Sequence, residues 1–321
     1  MRTVLAVGFF VAACLGRLAG ATQAQEPTES LFVYDRAAPF DLRDSVARTF
    51  DAGVALHDVS FVSPRGGRVH AYIIVPEGRG PHPVVLFGPW GLGNRTEFIP
   101  EALLYARLGA TSLILDWPWT RPPPDRRAQG PIEQPEIDRD VFAQAVVDLR
   151  RALDLMLARL DVDSTRVAYV GHSYGAQFGA VLAAIDRRVK AAALMAGVPD
   201  NATFLVESQD PDMVAYRSRS TPEQIRRYLQ VNEPLDAITW IGKVSPTPLL
   251  MQFAELERAF DVRAMRRYVA AASEPKTVLW YPTGHELNDV TALRDRAVWV
   301  AERLGLASPA DLLVELMRKS R

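Results

Sequence analysis

The chain of 321 residues is poor in several residue types, and each scarcity removes a class of chemistry. It contains one cysteine, Cys14, which excludes a disulfide framework and a cysteine-based zinc site. Lysine occurs four times (Lys190, Lys243, Lys276, Lys319), and arginine supplies the rest of the 37 basic residues. Against 38 acidic residues they leave a formal net charge of −1. A histone-like nucleic-acid binder needs a strong basic excess, and a disordered chain needs low hydrophobicity with high net charge. Neither description fits a chain that is 48% hydrophobic and 23% charged, so no nucleic-acid partner is expected. Beyond the first 25 residues no apolar run is long enough to span a bilayer. Histidine is scarce too, at five: His57, His70, His82, His172 and His285.

Residues 1–24 read as a signal peptide. Met1-Arg2 supplies a basic start, Thr3 to Leu15 is a run of apolar or small residues, and Ala19-Gly20-Ala21 and Thr22-Gln23-Ala24 offer small-residue cleavage sites. The expectation is export to a periplasmic or extracellular compartment, without stable membrane insertion. The mature chain then has no cysteine, which suits an oxidising environment. An alternative is a lipoprotein anchored through Cys14, because Val11-Ala12-Ala13-Cys14 is similar to a bacterial lipobox.

Residues 25–53 carry few periodic signals and are expected to form an N-terminal arm with one helix around 40–50. His57 to Val62 and Arg68 to Val75 are β-rich runs joined by Ser63-Pro64-Arg65-Gly66-Gly67, which predicts a hairpin. Pro83 to Phe87 and Thr111 to Leu115 read as buried parallel strands flanking a helix over Phe98 to Leu108. Six prolines between 117 and 136 exclude regular structure there. A long helix from about Ile137 to Leu160 follows, with Val141, Ala145, Leu149, Leu153 and Leu157 along one face. Strands at Arg166–Val170, Val189–Met195, Pro248–Phe253 and Thr277–Tyr281 then alternate with helices at Ala176–Ile185, Val262–Ala272 and Val290–Leu304. This order predicts an α/β fold over 54–321: one doubly wound, mostly parallel sheet with an antiparallel start. Insertions are expected at 117–136 and 198–245, the second as a small cap.

The chemistry centres on Gly171-His172-Ser173-Tyr174-Gly175, a G-x-S-x-G pentapeptide between a predicted strand and a helix of small residues. A serine at such a strained elbow is lifted to the carboxyl edge of the sheet, where α/β folds place ligands. Its hydroxyl needs a general base and the base an orienting acid. In folds with this elbow the chain order is serine, acid, histidine. Only His285, in Gly284-His285-Glu286, lies beyond Ser173. For the acid, Glu255, Glu257 and Asp261 compete on the loop after the strand Pro248 to Phe253. An oxyanion needs backbone donors. Tyr174, after the nucleophile, is one; in Gly88-Pro89-Trp90-Gly91 proline has no N–H, which leaves Trp90 as the other. Trp117 and Trp119, at the start of the proline-rich loop, are expected to form an aromatic wall of the substrate pocket, unless they merely pin that loop. The glycines at 88–93 fit neither a dinucleotide fingerprint nor a Walker loop, so no cofactor or metal is expected.

In this order of elbow, acid and Gly-His loop, the chain resembles the α/β-hydrolase superfamily over residues 54–305. Within it the chain looks most like the dienelactone-hydrolase and prolyl-oligopeptidase-like esterase group, chiefly through Asp161 to Ala176. The group's pattern for the acid, laid on Pro248, puts Ala254 at the usual glycine and Glu257 at the usual aspartate. The resemblance thus implies Glu257 as the acid and Gly88-Pro89 in place of the usual His-Gly before the oxyanion donor. It implies hydrolysis of small carboxylic esters through an acyl-enzyme on Ser173. Two alternatives stay open: a serine peptidase or amidase with the same machinery, and an inactive hydrolase fold used for binding. Oligomeric state is not legible.

Overall fold

The computed structural model describes residues 28–310 and residue 312; the expected signal peptide, with Cys14, lies outside the described residues. Nine strands form a single sheet in the order β1-β2-β3-β5-β4-β6-β7-β8-β9. They are β1 (Arg43–Thr49), β2 (Ala55–Val62), β3 (Arg68–Val75), β4 (His82–Gly88), β5 (Thr111–Leu115), β6 (Val162–His172), β7 (Ala191–Met195), β8 (Leu249–Ala254) and β9 (Lys276–Tyr281). The first three strands run antiparallel to their neighbours, and β4 to β9 run parallel to one another. The sheet is therefore mostly parallel and belongs to an α/β-hydrolase fold, as the alternation of strands and helices predicts. After β5 the chain crosses back over β4 to reach β6, so the strand order reverses beside β6. Ligands in open α/β sheets bind at that kind of switch point.

Helices cover both faces. On one side lie α2 (Pro135–Leu157) and α3 (Tyr174–Ile185), with α6 (Ala237–Ile241) and α7 (Val262–Ala271); on the other lie α1 (Ile99–Arg107) and α8 (Val290–Arg303). Period-2 alternation along the strands divides the core accordingly. Val84, Leu86, Leu113, Val167 and Tyr169 pack beneath α2 and α3, whereas Val85, Phe87, Ile114, Ala168 and Val170 face α1 and α8. This double burial is why these strands read as continuous apolar runs. The region 198–245 folds into α4 (Pro211–Ser218), α5 (Pro222–Asn232) and α6, with α5 opened by a capping box of Thr221 and Gln224.

One expectation fails in the arm. Residues 43–49 form no helix; they are β1, an edge strand hydrogen-bonded to β2 with a bulge between Val46 and Arg48. Every residue of β1 is exposed, so neither a helical nor a strand burial pattern is written into it. Its conformation is imposed by the β2 backbone ladder. The arm also joins the main core through Phe32, which is buried edge-on against Trp240. Among the described residues no helix is long and apolar enough to cross a membrane.

Candidate active site

Ser173 sits between β6 and α3 with φ 54° and ψ −110°, a positive-φ backbone that serine rarely adopts. The turn closes because Gly171 and Gly175, two positions to either side, have no side chain. A Cβ on Gly175 would lie 1.9 Å from the Gly88 carbonyl oxygen, and one on Gly171 would lie 2.4 Å from that of Gly175. Backbone bonds from Ser173 N–H to the Met195 carbonyl (2.8 Å) and from Gln177 N–H to the Ser173 carbonyl (3.0 Å) hold the elbow. The Tyr169 hydroxyl donates to the Gly175 carbonyl from below (2.6 Å). Strain at this serine is thus over-determined by its surroundings.

His285 lies on the loop after β9. Its Nε2 is 2.9 Å from Ser173 Oγ, and its Nδ1 is 2.5 Å from Glu257 Oε2. The sequence left three carboxylates in competition, and the structure brings only Glu257 to the imidazole. Glu255 is exposed, and Asp261 caps α7 and pairs with Arg263. The Glu257 side chain is 3% exposed. Burial pushes its carboxyl up, but the hydrogen bond and charge of His285, with the Ala259 and Arg258 amides, outweigh burial and hold it below the usual range. The group is built to stay ionised. Lacking the glycine of the usual pattern, Ala254 simply ends β8, and the longer glutamate spans the distance to the ring.

The expected oxyanion donors fare differently. Tyr174 is the first residue of α3, so its amide is one of the unpaired N–H groups at a helix start. Trp90 instead already donates its N–H to Glu97 Oε2 (2.9 Å). Glu97 folds back beneath its own loop, close enough that a Cβ on Gly93 would lie 2.2 Å from Oε2. For the tryptophans the structure shows the pinning alternative instead of a pocket wall. Trp117 is wholly buried; its indole N–H reaches the carbonyls of Pro89 (3.0 Å) and Trp90 (3.2 Å). Trp119, half-buried, donates to the Gly91 carbonyl (2.6 Å) and packs against Phe142, Tyr174 and Phe178. Both indoles pin the 89–91 loop, because a buried indole N–H needs an acceptor and that loop offers one.

Apart from Tyr174, the aromatic flank of the site comes from residues that the sequence does not single out. Phe260 packs against the His285 ring (5.7 Å), Phe204 against Phe260 (5.9 Å), and Tyr174 against Phe204 (6.1 Å). A cavity of about 160 Å³ beside Tyr174 is lined by Phe142, Phe204, Asp138, Tyr216 and Tyr228, among others. No periodicity or motif marks Phe204 or Phe260. Among the described residues no group of three or more His, Cys, Asp or Glu is arranged to hold a metal.

A model of the acetyl xylan esterase (AXE1) family matches residues 42–232, more than half of the chain. The chain belongs to the acetyl xylan esterase family. It is a carboxylic ester hydrolase of the α/β-hydrolase superfamily, the superfamily its motifs resemble. Among solved structures it is similar to the acetyl xylan esterase from Paenibacillus sp. R4, with 20% identity, TM-score 0.73, and coverage of 86% of this chain and 92% of that one. Acetyl xylan esterase 1 from Thermoanaerobacterium sp. JW/SL YS485 is similar at 17% identity and TM-score 0.72, with the same coverage. A cold-adapted esterase from an Arctic intertidal metagenomic library follows at 19% identity and TM-score 0.53, covering 82% of this chain and 97% of that one. At these identities the likenesses speak for the fold. No curated protein matches the chain in sequence.

Proposed function

We propose that this member of the acetyl xylan esterase family is an exported serine esterase that removes short acyl groups, acetyl foremost, from acylated saccharides. One observation carries the chemistry: His285 bridges the Ser173 hydroxyl and the Glu257 carboxylate within hydrogen-bond distance on both sides. Ser173 Oγ attacks the ester carbonyl carbon as its proton passes to His285 Nε2. Glu257 holds the Nδ1–H tautomer and stabilises the imidazolium. The tetrahedral oxyanion is met by the Tyr174 N–H at the start of α3, where the helix dipole favours negative charge. On collapse, His285 returns the proton to the departing alcohol oxygen. Water, activated by the same imidazole, then releases the acid and restores the serine.

The acetyl and saccharide parts of the reading rest on the family and on the names of its structural neighbours. Export rests on the pattern of residues 1–24. The test is covalent labelling of the mature chain with a fluorophosphonate, followed by acetate release from acetylated xylan. A single adduct on Ser173, abolished in Ser173→Ala together with acetate release, is expected. An unlabelled wild type, or acetate release by Ser173→Ala, overturns the reading.

A further inference from the structure

A second histidine–carboxylate pair lies next to the first, and the serine mechanism makes no use of it. His172 precedes the nucleophile. Its Nδ1 is 2.8 Å from Glu97 Oε1, and its Nε2 is 3.0 Å from the backbone carbonyl oxygen of His285. The other Glu97 oxygen, Oε2, accepts the Trp90 N–H at 2.9 Å. One carboxylate and one imidazole therefore join three loops that leave three different strands: 88–93 after β4, the elbow after β6, and 284–289 after β9. The first is the loop in which the sequence placed a second oxyanion donor, and the other two carry the nucleophile and the base. The His172 side chain is 7% exposed and that of Glu97 20%.

Donor and acceptor roles fix the direction of these bonds. A carbonyl oxygen only accepts, so Nε2 of His172 must carry a hydrogen. The Nδ1–Glu97 bond needs one further proton, held by the ring or the carboxyl. Neither nitrogen of His172 is free to serve Ser173 as a base.

Resting on the serine reading of the site, we infer that Glu97 and His172 are positioning residues for the hydrolysis. They set the height of the His285 loop over Ser173 and the orientation of the 89–91 loop, without touching the reacting atoms. Catalytic geometry is steep in distance: displacement by about 1 Å costs on the order of 100-fold in rate. Two indoles hold the 89–91 loop by its carbonyls. Glu97 is the group that holds it by an amide and also connects it to the base loop.

The test compares Glu97→Ala, Glu97→Gln and His172→Phe with wild type and Ser173→Ala, using 4-nitrophenyl acetate and the rate of fluorophosphonate labelling. Thermal unfolding verifies that each variant is folded. Glutamine at 97 preserves every bond: its oxygen accepts from Trp90, and its amide donates to Nδ1 of a neutral His172. Glu97→Ala and His172→Phe are expected to lower kcat and the labelling rate on the order of 10- to 100-fold, with KM within about 3-fold. Glu97→Gln is expected to recover kcat to within about 3-fold of wild type. Wild-type kcat in folded Glu97→Ala or His172→Phe overturns the inference. So does a Glu97→Gln variant as impaired as Glu97→Ala, which would assign the effect to charge instead of position. If Ser173→Ala stays active, the serine reading fails. If Ser173→Ala is dead while Glu97→Ala matches wild type, only the positioning role fails.

Discussion

The rings of His172 and His285 lie 5.4 Å apart, each with a carboxylate on Nδ1, and they are set to do different things. The difference lies in the acceptor at Nε2. For His285 it is a hydroxyl, which can both donate and accept, so a proton can travel from Ser173 onto the ring and back. For His172 it is a carbonyl oxygen, which can only accept, so the Nε2 proton stays where it is. The same two side-chain types thus form a relay in one place and a tie in the other. A histidine–carboxylate contact alone does not identify a general base.

The comparison breaks most visibly at the relay. His285→Ala removes the base, and kcat for a short-chain aryl ester is expected to fall about 10⁴- to 10⁶-fold, leaving the residual rate that oxyanion and binding groups sustain. A loss of only 10- to 100-fold, about that expected of His172→Phe, would mean the two pairs had been assigned the wrong roles. Glu257→Gln comes next. It keeps a hydrogen-bonding group at the ring but presents the wrong tautomer partner and no charge, and a loss of up to about 10⁴-fold is expected. Steady-state kinetics of the two variants in parallel would show whether Glu257 matters less than His285; a loss of only a few-fold in Glu257→Gln, beside the large loss in His285→Ala, would remove the acid from the mechanism.

A third carboxylate, half-buried, sharpens the electrostatic side. Asp236 stands just before α6 and accepts from Asn201 N–H (2.8 Å) and Nδ2 (2.6 Å), with no imidazole bonded to it. Burial pushes its carboxyl up to about 7, and the Asn201 bonds only partly oppose this. In Glu257 the balance runs the other way because a histidine is present. Between the unfolded value of 3.8 and about 7, folded Asp236 keeps a proton that the unfolded chain releases, so its contribution to stability falls as pH rises through that window. A tenfold difference in proton affinity corresponds to about 1.4 kcal/mol, which puts the full loss at up to about 4 kcal/mol. Urea unfolding of wild type and Asp236→Asn at acid and neutral pH should show the variant gaining relative to wild type as pH rises. A difference that stays flat would contradict the raised affinity.

How much of this was legible follows from which interactions are local. Ser173 is readable because a strand, a glycine-flanked serine and a helix are adjacent in the chain. His285 is readable because scarcity left one histidine beyond the serine. Glu257 is singled out in the sequence only by the family resemblance: three carboxylates share one loop, and in the fold it alone approaches a ring 28 positions away. Glu97 and His172 meet across 75 positions: the elbow motif leaves the residue at 172 unspecified, and no motif marks Glu97. For Trp117 and Trp119 the sequence announces large amphipathic rings at the sheet edge, but not which carbonyls their N–H groups reach. β1 is invisible for a different reason, since a strand exposed on both faces has no hydrophobic period to read.

The smallest effect concerns those indoles and separates the two ways in which the 89–91 loop is held. Trp117→Phe keeps an aromatic ring beside Phe178, removes the N–H shared by Pro89 and Trp90, and leaves a small cavity where the rest of the indole packed. Neither carbonyl is stranded, because Gly175 N–H still reaches Pro89 (3.1 Å) and Gly93 N–H still reaches Trp90 (2.9 Å). The expected cost by denaturant unfolding is therefore about 1–2 kcal/mol. Its effect on kcat should be small while Glu97 keeps its grip on the Trp90 amide. Combined with Glu97→Ala, the same change should cost more in kcat than the two single losses multiplied, since residues that brace one segment couple non-additively. Strict additivity of the two would mean that the indoles anchor the proline-rich loop and leave the 89–91 backbone to Glu97 alone.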